Sequence, residues 1–477
     1  MKTYFRRIFV FFLTLALVAA PQGFSPTPDM YRALANISPD SLRGNLSFIA
    51  SDLLEGRDTP SRGLDIAAEY IAAQFRRVRL EPAGDDGYFQ TAGMLRLMPA
   101  PDGFELRVRE GSRTYTVPTD HVCVVSHSAL DLRGVSVSKV TDAADLKPED
   151  VRGKVVLLDA ARRDLQAIAN TATALQPAAF LETASENTLA PRVADADEER
   201  ATFGDVPLLI VRDAQAVRGL LEAQAGLTVS IKLPAPAFVQ VKVRNVIGLL
   251  RGSDPVLRDQ YVLLTAHYDH IGRNGAGQVF PGANDDGSGT VSVMEIGEVL
   301  AAMPVHPKRS IVFMTFFGEE EGSLGASYYA SHPVFPLDKT VADLNLEQVG
   351  RTDSSAGREV SNASVTGFNY SDVAGTLQRA GKLTGVKVYE TADGDDFFDR
   401  SDNATFAEHG IPAHTLVVAF EYPDYHAPGD VWQKIDYDNM AKVDRMIALG
   451  TIMLADNPEA PKWNRGNPKV AGYLRTQ

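Results

Sequence analysis

Apolar residues in the second half of the chain fall into short unbroken runs: Tyr261–Ala266, Ser310–Phe317, Val341–Leu346 and His414–Phe420, with a helical pattern over Thr290–Met303 between the first two. Runs of strand length that do not alternate with polar residues predict strands buried on both faces. The expected fold class is therefore α/β, with a mixed, largely parallel sheet flanked by helices. Nearer the start, Leu42, Leu46, Ile49 and Leu53 recur at three- and four-residue spacing and Asp65–Phe75 continues in the same manner, which predicts two packed helices. Between 103 and 242 the texture changes to β-branched runs such as Leu106–Val108, Lys154–Leu158 and Pro207–Val211 among polar and Ala-rich stretches. This predicts an inserted β-rich domain that divides the α/β unit into segments 28–102 and 243–456. The polar tail at 457–477, with Pro458, Pro461 and Pro468, is expected to be a loosely held extension.

The first residues follow a different rule. Lys2, Arg6 and Arg7 precede the apolar run Ile8–Ala20, small residues stand at Ala16, Ala19 and Ala20, and Pro21 and Gly23 follow. The run is shorter than the ~20 residues a spanning helix needs. Residues 1–22 thus read as a signal peptide, and the mature chain is expected in the periplasm or outside the cell, with no integral membrane span. A net charge of −14, from 47 Lys and Arg against 61 Asp and Glu, argues against nucleic acid as a partner. The single cysteine, Cys123, cannot form an intramolecular disulfide or a Cys-rich metal site, and its apolar surroundings place it in a core. Any metal must be held by His, Asp and Glu.

Those residue types collect in one pattern. Each of the four apolar runs is followed by a residue able to bind metal: His267, then Glu319 and Glu320, then Glu347, then His426. In an open α/β sheet the carboxyl ends of the strands line the functional crevice, so residues distant in sequence converge there. A fifth candidate, Asp285, lies in the glycine-rich loop 281–289, where Ser288 is placed to cap the following helix. Two imidazoles and three carboxylates suit zinc, cobalt or manganese, and a shared carboxylate would make the site dinuclear. Three consecutive acids after an apolar strand repel one another unless a cation compensates them. Asp269 stands where it can accept the second ring N–H of His267, and Asp430 has a similar place relative to His426.

His267-Tyr-Asp-His270, Gly282-Ala-Asn-Asp-Asp-Gly-Ser-Gly289, Gly318-Glu-Glu-Glu-Gly-Ser-Leu-Gly325, Asn345-Leu-Glu-Gln-Val-Gly350 and Tyr425-His-Ala-Pro-Gly-Asp430 together resemble, in order, the motifs of the M28 family of zinc metallopeptidases. Leu53-Leu-Glu-Gly-Arg57 resembles the N-terminal part of the same family, and Val151–Leu158 with Val206–Val211 resembles a protease-associated (PA) domain. The resemblance implies a zinc-exopeptidase sheet of the phosphorylase/hydrolase-like type and two zinc ions. Asp285 would bridge them, with His267 and Glu347 on one and Glu320 and His426 on the other. It makes Glu319 the general base and Tyr425 a donor to the tetrahedral oxyanion. Two departures stand out: Glu347 replaces the usual Asp, and Asn403 in Ser401-Asp-Asn403 replaces a His, which bears on specificity more than on catalysis. The stretch Asp393–Asp402, with Phe397 and Phe398, reads as a pocket wall or a solvated acidic loop.

The expected activity is hydrolysis of peptide substrates, with an aminopeptidase favoured over a carboxypeptidase. A glutaminyl cyclase-like enzyme and a non-catalytic binding protein with a peptidase shell are the further alternatives. No G-x-S-x-G segment follows a strand, and Gly272–Gly289 lacks a Gly-Lys-Ser/Thr ending, which disfavours a serine hydrolase and a phosphate-binding loop.

Overall fold

Seven strands build most of the larger sheet: β1 (Phe89–Arg96), β2 (Val239–Leu250), β3 (Tyr261–His267), β4 (Ser310–Phe316), β5 (Thr340–Leu346), β6 (Asn362–Val365) and β7 (Ala413–Val417). The computed structural model describes residues 24–474 except 97, 159–161, 184–192, 196–204, 223–225 and 356; the leader expected over 1–22 lies outside the described residues. From one edge the order is Val193–Asp195, β1, β2, β4, β3, β5, β7, β6 and Lys387–Tyr389, with Glu81–Pro82 alongside β2. The middle of the sheet is parallel: β3 runs with both β4 and β5, and β5 with β7. Antiparallel pairs of β2 with β1 and β4, and of β6 with β7, flank it.

Both faces are covered, which is why the middle strands are apolar without alternation. Helices α1 (Pro39–Ile49), α2 (Arg62–Arg77), α3 (Gly289–Ala301), α4 (Leu324–Ser331), α5 (Val373–Thr384), α6 (Asn403–Glu408) and α7 (Tyr437–Asp456) supply the two layers. Val262, Leu264, Ala266 and Phe313 pack with α1, α2, α3, α5 and α7. Leu263, Val312, Met314 and Phe316 point the other way, toward Ala326 and Tyr329 of α4 and Phe406 of α6. Burying each such side chain contributes on the order of 1.5–3 kcal/mol.

The N-terminal helices differ from expectation at one point. Ser38 accepts from the N–H groups of Asp40 and Ser41 to start α1, which ends at Ile49. Ser51 then accepts from Leu53 N–H and opens a separate short turn, so Leu53 is 87% exposed while Leu54 takes the buried place. The tail also differs from the loose extension predicted for it. Val470 is fully buried, Trp463 donates its indole N–H to the Gly410 carbonyl at 3.0 Å, and its ring stacks on Tyr473. Prolines there shape a packed path rather than a free one.

Among the described residues the intervening segment forms a second sheet of nine strands, from Met98–Pro99 to Leu227–Leu233, with cores of its own. Cys123 is buried in it, as expected. The predicted boundary at 242/243 falls inside β2, whose first residues, Val239 and Gln240, are exposed on an extension that pairs with Arg96 and Leu95. Half-exposed strand sequence there reads like the insert, although it belongs to the larger sheet. Among the described residues no helix is long and apolar enough to cross a membrane.

Candidate metal centre

Parallel pairing sends the carboxyl ends of β3, β4, β5 and β7 to one edge of the sheet. His267 is the last residue of β3, Glu319 and Glu320 follow β4, Glu347 follows β5, and His426 lies in the loop beyond β7 with a left-handed φ of 50°. The loop before α3 brings Asp285 beneath them. The structure therefore gathers all five predicted donors. Asp285 Oδ1 is 3.5 Å from His267 Nε2, and its Oδ2 is 3.1 Å from His426 Nε2. Glu320 Oε2 lies 3.3 Å from His426 Nε2, and Glu319 Oε2 lies 3.8 Å from His267 Nε2. Donor atoms of His267, Asp285 and Glu347 come within 4.8 Å of one another, and so do those of His270, Asp285 and Glu320. One carboxylate thus serves two groups.

Buried polar atoms ordinarily find partners, and leaving one unpaired costs about 1–3 kcal/mol. Here both ring nitrogens of His267, Asp285 Oδ2, Glu320 Oε1 and Glu347 Oε2 are shielded from solvent without an aligned hydrogen bond. Their lone pairs converge in one place, and all are nitrogen or oxygen. The residues present fit a divalent cation of the zinc type.

Charge crowding agrees with this. Burial pushes the Glu319 carboxyl well above its usual range, and neighbouring Glu347, Asp402 and Glu320 add to the rise against the opposing pull of His267. Burial likewise raises Glu347 and Asp402, each to about 7. Asp285 is pulled the other way: burial opposes its charge, but the imidazoles of His267 and His426 beside it hold it ionised. The imidazole of His426 rises to about 9 despite burial, because Asp285 and Glu320 face it. Carboxyls and imidazoles competing for protons in a dry site mark a place where a cation would replace those protons.

The predicted supporting residues divide in two. Asp269 Oδ1 stands 3.4 Å from His267 Nδ1 and accepts from Glu319 N–H at 3.2 Å, so it lies beside the imidazole and fixes the exit of the next strand. Asp430 does not sit behind His426 as the sequence suggested. It accepts from the backbone N–H groups of Asn284 and Asp285 at 3.0 and 3.1 Å, and from Tyr422 Oη at 3.0 Å. Its task is to fix the Asp285 loop, because the tight turn at 427–430 aims its carboxylate back at that loop. Ser288 is not the cap of α3 either. Asp286 Oδ1 accepts from Gly289 N–H at 2.9 Å, while Ser288 Oγ accepts from Val349 N–H at 3.0 Å and ties the loop to the segment after β5.

Tyr425 is 39% exposed, stacks on His426 with ring centroids 4.1 Å apart, and lines the cleft with Phe397, Arg400 and Phe420. Phe397 stacks on Phe420 at 4.4 Å and forms wall, whereas Phe398 is buried against Tyr370 and Trp463. Asn403 is buried, donating to the Phe398 carbonyl at 3.0 Å and accepting from Thr415 Oγ1 at 2.8 Å, so it braces the wall from behind. Sequence reasoning gave no role to Arg57 or His270, although both stand inside the quoted motifs. Arg57 is fully buried and donates to the carbonyls of Ile49, Tyr268, Pro281 and Gly282 at 2.7–2.9 Å. Burial lowers its pKa to about 10, well within the charged range at neutral pH, with Asp269, Asp430, Asp286 and Asp285 supporting the charge.

The fold is thus a doubly covered α/β sheet with an acidic, imidazole-bearing cleft at its carboxyl edge, whose donors could hold metal ions. Residues 245–451 match Peptidase family M28. The chain is 27% identical over 236 residues to Aminopeptidase YwaD of Bacillus subtilis, covering 48% of this chain and 49% of that relative, so it spans about half of that protein's length. Its fold is similar to that of an aminopeptidase from Aneurinibacillus sp. strain AM-1, with a TM-score of 0.58 and 19% identity over 90% of this chain and 97% of the other. It is also similar to BSAP, a zinc aminopeptidase from Bacillus subtilis, with a TM-score of 0.52 and 19% identity over 92% and 98% of the two chains.

Proposed function

We propose that this protein is an exported dizinc metallopeptidase that removes N-terminal residues from peptides. The observation that carries the reading is the shared carboxylate: Asp285 turns one oxygen toward His267 and the other toward His426, with Glu347 and Glu320 completing the two groups. His267, Glu347 and Asp285 would hold one zinc, and Glu320, His426 and Asp285 the other. Zinc held by these residues would lower the pKa of water and polarise the scissile carbonyl. The chain's own residues do the rest. Glu319, kept proton-hungry by burial, takes a proton from the attacking water and returns it to the departing amine. Tyr425, at the cleft mouth, donates to the developing oxyanion. The acidic cleft floor attracts a free α-ammonium group, and the stacked Phe397 and Phe420 receive an apolar side chain. We assign the second sheet to a PA-like unit and the leader to export.

Arg400 gives the carboxypeptidase alternative its one foothold. It lines the cleft over the Phe397 ring, whereas Arg351 is already paired with Asp353 and Asp424. A panel of aminoacyl chromogenic substrates, run beside amino-blocked and carboxyl-blocked peptides, decides between the directions. Cleavage that requires a free amino terminus supports the proposal. Cleavage of amino-blocked peptides from the carboxyl end overturns it. Fewer than two zinc ions per chain after mild purification would count against the dizinc centre.

A further inference from the structure

His270 Nδ1 lies 2.6 Å from Glu320 Oε1 and 4.0 Å from Asp285 Oδ2, and its residue is 1% exposed. At that distance a proton would ordinarily join the two atoms, yet neither makes an aligned hydrogen bond. With no aligned proton between them, and with donor atoms of His270, Asp285 and Glu320 within 4.8 Å of one another, the nitrogen and the oxygen can both serve one cation. The position is built into the fold. The backbone N–H of His270 donates to the Arg57 carbonyl at 3.3 Å. The ring rests on Gly282, where a Cβ would come within 2.4 Å of Cγ of the imidazole, so this place in the loop must be glycine for the ring to fit. The ring meets His426 edge to face with centroids 5.6 Å apart.

We propose that His270 is a further protein donor to the zinc held by Asp285, Glu320 and His426. The inference rests on the dizinc reading above and deepens it. It makes the two cations unequal. One would have four protein donors, the number found in closed structural zinc sites, and the other, held by His267, Glu347 and Asp285, would have three and keep an open position. The more exposed His426 would then not be alone in contributing nitrogen to its ion.

The test uses full-length mature protein loaded with zinc, with metal content and affinity read by competition against a chelator and with the d–d spectrum of the cobalt-substituted protein. His270→Ala removes the imidazole. His270→Asn keeps an N–H donor near the Nδ1 position, which would satisfy a residue that merely positions Glu320, but offers no ring nitrogen. Losing an outer-shell partner costs 10–100-fold in metal affinity. The expected result is that both variants retain one tightly bound ion, which also shows that they fold, while the dissociation constant of the second rises by more than a hundredfold. The cobalt spectrum of that second site should change in both. A rise below a hundredfold in either variant, or an unchanged spectrum, overturns the assignment of His270. If wild-type protein itself binds fewer than two ions, the failure lies instead with the dizinc reading.

Discussion

Arg57 Nη2 donates to the carbonyl oxygen of Gly282 at 2.9 Å, joining the end of the N-terminal helical segment to the loop that carries Asp285. The same guanidinium reaches three more carbonyls, so one planar fork fixes the spacing between the strand exit at Tyr268 and the glycine-rich loop. Arg57→Met would take the guanidinium donor from the carbonyls of Ile49, Tyr268 and Pro281, would leave the Gly282 carbonyl only its bond from Gly287 N–H, and would remove a positive charge facing buried carboxylates. We expect a loss of about 3 kcal/mol or more in denaturant unfolding, with weaker zinc retention. Arg57→Lys should recover little, because an ammonium cannot match the fork. Wild-type stability and metal content in the Met variant would show that the strut is dispensable.

Replacing Glu319 by Gln keeps the shape of the side chain and removes its proton affinity. Turnover should fall by about 10²–10⁴-fold with zinc content unchanged, the loss typical of a missing general base. Steady-state kinetics beside metal analysis checks this, and a Gln variant with near-normal turnover would mean that another group takes the proton.

His426→Ala removes a donor whose Nε2 faces both Asp285 and Glu320. Metal content and peptidase activity should decline together, and in wild type a chelator should abolish activity that added zinc restores. Activity that survives exhaustive chelation would separate the chemistry from the metal.

His414 lies on β7, fully buried and away from the cleft. Its Nδ1–H donates to the Thr366 carbonyl at 2.8 Å, and its Nε2 accepts from Ser371 Oγ at 2.6 Å, so the neutral ring satisfies both partners. Burial lowers its pKa to about 4. The unfolded chain, with an ordinary value of about 6.5, takes up a proton first as pH falls. The contribution of His414 to stability is therefore complete above about pH 6.5 and declines toward pH 4, by about 3 kcal/mol in all. Denaturant unfolding of wild type and His414→Gln across that window should give curves that converge as pH falls. Parallel curves would remove the residue from the acid response.

Much of the site was legible because it depends on strand ends. A continuous apolar run such as Ser310–Phe317 announces a doubly covered strand, and an acid or imidazole directly after it is committed to the edge of the sheet. His267, Glu319, Glu320, Glu347 and His426 could be read in this way, and Asp285 from its glycine-rich loop. Arg57 could not, because its partners are backbone carbonyls, which every residue carries and no motif advertises. Asp430 and Ser288 were placed near their true neighbours but with the wrong partner, since the direction of a short polar side chain depends on the turn that carries it. Leu53 and the tail failed for a related reason: spacing and proline content describe local preference, and burial was decided by what lay across the contact.

The order of apolar runs and the residues that close them fixed the layered α/β fold and the chemistry on offer at its edge, because side chains leaving a parallel sheet have little freedom in where they emerge. What only the folded chain decided was which atoms face one another. Asp285 divides its two oxygens between His267 and His426, and His270 lies against Glu320, because loops distant in sequence are pinned together by Arg57, Asn284 and Asp430 through backbone groups.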